Sequence, residues 1–309
     1  MTAARLERAR LALEGLSVGD AFGQRFFGDP ELVPTQIAAR ALPPAPWSTT
    51  DDTEMGLAVY EVLARHGFVN TDALASRFAE RYLADPARGY GGTAHGILQR
   101  IAAGEPWPSV ARSVFDGGGS MGNGAAMRVA PAAGFFADDL DAALRAAEAS
   151  AAPTHAHREG VAGAVAVAAA CVYAWRATRD EGFRRAHPSL LRFALDHTPD
   201  GETRAGIAQA AALDPEASVT LAASVLGTGA RVIASDTVPF SLWCAARHTD
   251  RFDDALWTTV EGLGDRDTTC AIVGGIVALA ARAVIPAAWR EAREPLGFTL
   301  SPIAMTLAR

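Results

Sequence analysis

Two acidic stretches near opposite ends of the chain each open an apolar run. Any fold of this chain has to place both. The first is Ser48-Thr49-Thr50-Asp51-Asp52-Thr53 and the second is Gly264-Asp265-Arg266-Asp267-Thr268-Thr269. Met55, Val59, Val62 and Leu63 follow the first at helical spacing, with Thr50 at the N-cap and Gly67 as the stop. Ala271, Ile272 and Ile276 follow the second, which predicts a helix from Thr268 to Val284. In an extended segment Asp265 and Asp267 point the same way and Arg266 the other.

Taken alone, each stretch is an ordinary capping sequence, because Thr, Ser and Asp favour N-caps and Asp favours the positive end of a helix. Taken together they offer six hard oxygen side chains: Thr50, Asp51, Asp52, Asp265, Asp267 and Thr268. An oxygen-only set suits Mg²⁺, Mn²⁺ or Ca²⁺ and not zinc or copper. Four carboxylates converging on one point repel unless cations neutralise them. Two adjacent divalent ions would do so, and would also equip a hydrolase.

The rest of the chain reads as helices, with no β alternation longer than a few residues. The spacing predicts helices over 3–22, with Gly23 as the stop, then from Asn70 through Leu83, over 93–103 and over 109–115. Further helices are predicted over 139–151, 158–176, 188–195, 202–212, 215–226, 239–247, 252–263 and 286–294, with loops over 28–47 and 182–187. Gly15, Gly19 and Gly23 leave one face of the first helix nearly bare. That favours close helix packing, with Asp20 as an acceptor behind a metal site.

The stretch from Phe115 to Arg128 holds Gly117, Gly118, Gly119, Gly122 and Gly124 just before a helix start. Unshielded backbone N–H groups there would cradle phosphate, and a flexible loop without a ligand fits the same residues. The P-loop GK[ST] element is missing. His155 follows Pro153-Thr154 at a helix start, and reads either as a structural histidine or as one facing the glycine loop. His155 and His157 are two apart on a helix and do not share an ion, which argues against zinc.

Composition narrows the partners. A net charge of -7 argues against nucleic acid and anionic membranes, and all basic residues are Arg. Gly160 to Trp175 is shorter than the roughly 20 residues of a membrane span, so a buried core helix is expected. Met1 to Arg10 is polar and charged, which predicts no secretory leader. The three cysteines carry no metal or redox spacing. That fits reduced thiols and a cytoplasmic location. With no linker or repeat, residues 1–309 are expected to form one domain.

The chain resembles the ADP-ribosylglycohydrolases. Gly15 to Gly23, Thr50-Asp51-Asp52-Thr53-Glu54-Met55, Arg88-Gly89-Tyr90-Gly91, Gly122-Asn123-Gly124-Ala125-Ala126-Met127-Arg128, Thr154-His155, Thr237-Val238-Pro239-Phe240 and Gly264-Asp265-Arg266-Asp267-Thr268 match in the family's order. The resemblance implies an all-α, roughly orthogonal helical bundle around two divalent cations, Mg²⁺ or Mn²⁺. The ions would be held by Thr50, Asp51, Asp52, Asp265, Asp267 and Thr268. It also implies an ADP-ribose site. There Gly117, Gly119, Ser120, Met121, Gly122, Asn123 and Gly124 hold the diphosphate, and Phe115 and His155 line the adenosine pocket. ADP-ribose or ADP-ribosylated protein would then be the substrate, with Asp52 or Asp267 as general base.

Two departures stand out. Phe27 occupies the place of a Glu that many relatives carry, which favours arginine over serine linkages. Arg266 stands where a small residue is usual, and is expected to touch the acceptor or a neighbouring carboxylate. An ADP-ribose-binding module without catalysis and a hydrolase of a small ADP-ribose derivative are the alternatives.

Overall fold

Caps and turns divide residues 2–296, which the computed structural model describes, into eighteen α-helices with no sheet. The first group is α1 (Thr2–Gln24), α2 (Val33–Ala38), α3 (Asp51–His66), α4 (Thr71–Ala84), α5 (Gly92–Ala102) and α6 (Trp107–Ser113). A middle group follows: α7 (Gly124–Met127), α8 (Ala130–Phe135), α9 (Leu140–Ala151), α10 (Arg158–Ala177), α11 (Glu181–Ala186) and α12 (Leu190–His197). The last group is α13 (Glu202–Ala212), α14 (Val219–Leu226), α15 (Ala234–Arg247), α16 (Phe252–Glu261), α17 (Arg266–Val277) and α18 (Ala287–Ala292).

Local signals set several boundaries as the sequence predicts. Thr50 caps α3 by accepting from the Asp52 N–H, and Gly67 ends it at φ 75°. Asn70 caps α4 by accepting from Ala73. Asp139 caps α9 in the same way, whereas α14 starts behind a Ser218 cap at Val219 and not at Pro215.

Other boundaries differ. Gly23 lies inside α1, which runs one residue further to Gln24, and its missing side chain admits α17: a Cβ there would stand 2.2 Å from the Arg266 carbonyl oxygen. The short α2 and α11 lie where loops were expected. Pro239 does not begin α15 but sits inside it, facing Gly206, whose missing side chain makes room for the proline ring. Helix α17 ends at Val277 and not at Val284. Two groups at the end of α10 capture the backbone that would continue it: Thr178 Oγ1 accepts from Ala281 N and Arg179 Nη1 donates to Leu279 O.

Close packing of α1 on α17 sets the centre of the fold. Cβ atoms on Gly15 and Gly19 would stand 2.2 Å from Gly274 O and 2.1 Å from Cys270 O, so only glycine fits either position. Beside this seam, Phe22, Phe26, Trp47, Trp257 and Trp289 form one buried aromatic cluster, with Phe22 stacked on Trp289 at 4.5 Å. Each such ring contributes roughly 1.5–3 kcal/mol by leaving water. Helix α10 is long and apolar enough to cross a membrane, but 83% of its apolar window is buried inside the protein, as in a core helix.

Candidate active site

The α1–α17 seam brings the N-terminus of α17 beside Asp20, and α3 begins against the same place. Asp20 is fully buried and accepts four hydrogen bonds. Its Oδ1 takes the Thr50 hydroxyl (2.8 Å), and its Oδ2 takes Thr50 N (2.9 Å), Thr53 N (3.2 Å) and the Thr53 hydroxyl. An aspartate from α1 thus satisfies backbone donors at the start of α3. Its carboxylate also joins those of Asp52 and Asp267 in a group that offers one oxygen from each residue, these three lying within 4.8 Å of one another.

The six predicted oxygen residues sit around this group. Thr50 Oγ1, whose one proton goes to Asp20, lies 3.1 Å from Asp52 Oδ2, and Thr268 Oγ1 lies 3.4 Å from the same oxygen across the helix ends. The extended Asp265-Arg266-Asp267 segment was wrong: α17 begins at Arg266, since Thr269 N already bonds to Asp265 O. Asp265 stands at the N-cap position without capping. Its carboxylate turns instead to Asn123, which donates to Oδ2 at 2.7 Å. Gly229, at φ 81°, leaves the space that the Asp265 side chain needs.

Charge confirms the crowding. Burial, then the charge of Asp267, pushes Asp20 and Asp265 up to about 7. Burial, then Asp20 and Asp267, raises Asp51 and Asp52 well above the usual carboxylate range, and burial raises Asp267. Asp52 Oδ1 is buried with no hydrogen-bond partner. Capping does not explain an orphaned carboxylate oxygen among mutually repelling acids; a divalent cation would satisfy it. Asp20, Asp52 and Asp267 could hold one directly, with Thr50, Asp51, Asp265 and Thr268 within the same patch.

Arg266 makes no ion pair with a carboxylate among the described residues. Its Nη1 donates to Phe26 O at 2.6 Å, and its guanidinium lies over the Phe27 ring at 4.9 Å. In place of the neighbouring carboxylate that was expected, the end of α1 offers Arg266 a carbonyl and a ring.

The glycine stretch wraps the start of α10. Phe115, Asp116 and Gly117 are left-handed in succession (φ 53°, 55° and 88°), and Gly119 follows at 74°. A Cβ on Gly119 would stand 2.6 Å from His157 N. The N–H groups of Gly118, Gly119, Gly122 and Asn123 are taken by Phe115 O, Val114 O, Ser120 Oγ and Val232 O. The loop therefore offers fewer donors than its glycine count suggests. Those of Gly117, Ser120 and Met121 take no protein acceptor among the described residues. Phe115 and Met121 expose their side chains at the rim. His155 is buried beneath the loop: Cβ atoms on Gly122 and Gly124 would stand 3.3 Å from its Nε2 and 3.2 Å from its Cε1.

Asn123 ties the loop to the acids, since it also donates to Thr237 Oγ1 at 3.0 Å. A second loop, residues 227–233, closes the same wall. Thr228 O accepts from Asp265 N, and Ala234 N donates to Met121 O. The sequence leaves this segment between two predicted helices, 215–226 and 239–247, with no role assigned to it. The signal was there in Gly229, whose glycine leaves room for Asp265.

The sequence profile of the ADP-ribosylglycohydrolase family matches residues 1–308. ADP-ribosylhydrolase ARH3 of Xenopus tropicalis is 32% identical over 217 residues, 66% of this chain and 59% of that protein. The alignment thus spans less than two thirds of the frog protein. Human ADP-ribosylhydrolase ARH3 is 28% identical over 94% of this chain and 90% of its own. A solved structure titled "ADP-ribosylglycohydrolase-related protein complex" superposes with a TM-score of 0.64 at 25% identity, over 94% of this chain and 93% of that one.

Proposed function

The chain belongs to the ADP-ribosylglycohydrolase family, and from that premise we propose that it is a metal-dependent hydrolase that frees ADP-ribose from an acceptor, most readily an arginine of a protein. The observation that carries the metal dependence is the orphaned, buried Oδ1 of Asp52 within the Asp20–Asp52–Asp267 group. Thr50, Asp51, Asp52, Asp265, Asp267 and Thr268 would hold two divalent cations, Mg²⁺ or Mn²⁺, with Asp20 fixing Thr50 and Thr53 behind them. When bound, the ions supply positive charge and Lewis acidity beside the reacting ribose.

The remaining chemistry belongs to the protein. Cleavage at the ribose anomeric carbon passes through an oxocarbenium-like state, which nearby carboxylates stabilise. Asp52, or else Asp267, takes the proton of the attacking water as general base. The free N–H groups of Gly117, Ser120 and Met121 bind the diphosphate, and Phe115 stacks on the adenosine end. That remote binding orients the ribose over the acids. Asn123 keeps loop and acids in register.

Phe27 supports the preference for arginine linkages, because its exposed ring, packed on Arg266, supplies no oxygen ligand. The same observation favours the second reading, an ADP-ribose-binding module without catalysis. Arginine-linked and serine-linked ADP-ribosylated peptides, assayed for release beside calorimetric ADP-ribose binding, separate these readings. Release from the arginine peptide supports the proposal. Release from the serine peptide alone removes the linkage assignment, and tight binding with no release from either favours the module.

A further inference from the structure

Arg128 is fully buried with no carboxylate paired to it among the described residues. Its guanidinium lies over the Phe78 ring at 4.5 Å. Nη1 donates to Gly124 O at 3.0 Å, and Nη2 donates to Ser150 O at 2.7 Å and to Thr154 Oγ1 at 2.8 Å. Burial lowers its pKa only to about 9, so near neutral pH it is charged and acts as a donor only.

The next contact in line is Thr154 Oγ1 to His155 Nδ1, at 2.7 Å. A threonine hydroxyl has one proton. With its oxygen already accepting from a group that cannot accept in return, that proton has Nδ1 as its only acceptor within reach among the described residues. Were Nδ1 protonated instead, the buried hydroxyl would carry an unsatisfied proton, which disfavours that tautomer. Burial, then the nearby Arg128 charge, holds the imidazole well below its usual pKa, so it is neutral. Its Nε2 takes no protein partner among the described residues and lies against Gly122 and Gly124.

We infer that Arg128 and Thr154 form a fixed donor relay that sets the tautomer of His155, so that Nε2 carries the proton and is presented to the glycine loop as a donor for an anionic ligand. Arg128 and Thr154 are positioning residues; His155 makes the contact. The identity of the anion, the diphosphate of ADP-ribose, rests on the proposed function, whereas the tautomer does not. The relay also explains why Arg128 is Arg although no carboxylate pairs with it among the described residues. It orders the loop through Gly124 O and the histidine through Thr154 with one rigid fork.

The test is a nitrogen-15 spectrum of the imidazoles in the unliganded protein, with His155 assigned by its loss in His155→Gln. An unprotonated Nδ1 and a protonated Nε2 are expected in the wild type. Thr154→Val, which keeps the shape and removes the hydroxyl, should mix or invert the tautomers and weaken ADP-ribose binding about tenfold. Thr154→Ser should restore both. A protonated Nδ1 in the wild type overturns the relay, and so does Thr154→Val with wild-type tautomer and affinity. Failure of Thr154→Ser to restore either would mean that the residue only packs. Should Thr154→Val fail to fold, the wild-type spectrum still decides. Wild-type protein that binds no ADP-ribose would sink the proposed function and leave the tautomer result standing.

Discussion

Asp20 on α1 holds Thr50 by its backbone N–H and by its hydroxyl, at 2.9 and 2.8 Å, and thereby fixes the start of α3 from a neighbouring helix. Thr53 adds two more donors to the same carboxylate. Asp20→Ala leaves these donors buried without an acceptor. Stability should fall by about 3 kcal/mol or more, and hydrolysis should fall with it. Denaturant melts beside turnover check this; unchanged stability would show that water replaces the carboxylate freely.

The seam between α1 and α17 gives a second prediction. A Cβ on Gly19 would stand 2.1 Å from the Cys270 carbonyl oxygen, which is backbone and cannot swing away. Gly19→Ala should therefore cost about 3 kcal/mol of stability. By parting the helices it should also move Asp20 away from Asp267 and weaken binding of Mn²⁺. A stable variant with wild-type Mn²⁺ affinity would mean that the seam has slack.

Much of this was legible in the sequence, because the signals are local. Thr50, Gly67 and Asn70 mark their helix ends by side-chain chemistry and by backbone permissiveness. The oxygen residues at the two acidic stretches were legible from residue type. Membership of Asp20 in the acid group was not, because it depends on how closely α1 and α17 approach, and that is settled by packing. The start of α15 and the end of α17 were misjudged for the same kind of reason. A glycine on a neighbouring helix tolerates Pro239 inside α15, and side chains from α10 take the backbone groups that would continue α17. The roles of Arg128 and Thr154 were invisible in their motifs, because each depends on a partner brought up by the fold.

Asn123 joins the glycine loop to Asp265, at 2.7 Å, and to Thr237. Asn123→Ala should lower turnover about 10- to 100-fold through the misplaced carboxylate, the usual effect of losing a partner behind a metal site. Metal affinity measured alongside should fall in step. Turnover lost with metal affinity intact would assign Asn123 to the loop alone.

Glu159 supplies a pH dependence away from the site. Burial pushes its carboxyl up, but the N–H groups of Thr203 and Glu202 and the Thr203 hydroxyl outweigh it and hold the pKa below the ordinary 4.5. A depressed pKa adds stability that is fully present above the unfolded value and is lost as pH falls through the folded one. The Tm advantage of the wild type over Glu159→Gln should be largest near neutrality and shrink below about pH 4.5. An advantage that stays constant down to pH 3 would contradict the assignment.

The central claim is that the acids at the starts of α3 and α17 form a cation-dependent hydrolytic centre. The most direct measurement is ADP-ribose release from an arginine-linked peptide by wild type and by Asp52→Asn, each with Mg²⁺, with Mn²⁺ and with EDTA. The account predicts release by the wild type with either ion and none in EDTA. It also predicts at least about a 100-fold loss in a folded Asp52→Asn. Full release in EDTA, or undiminished turnover by Asp52→Asn, would contradict it.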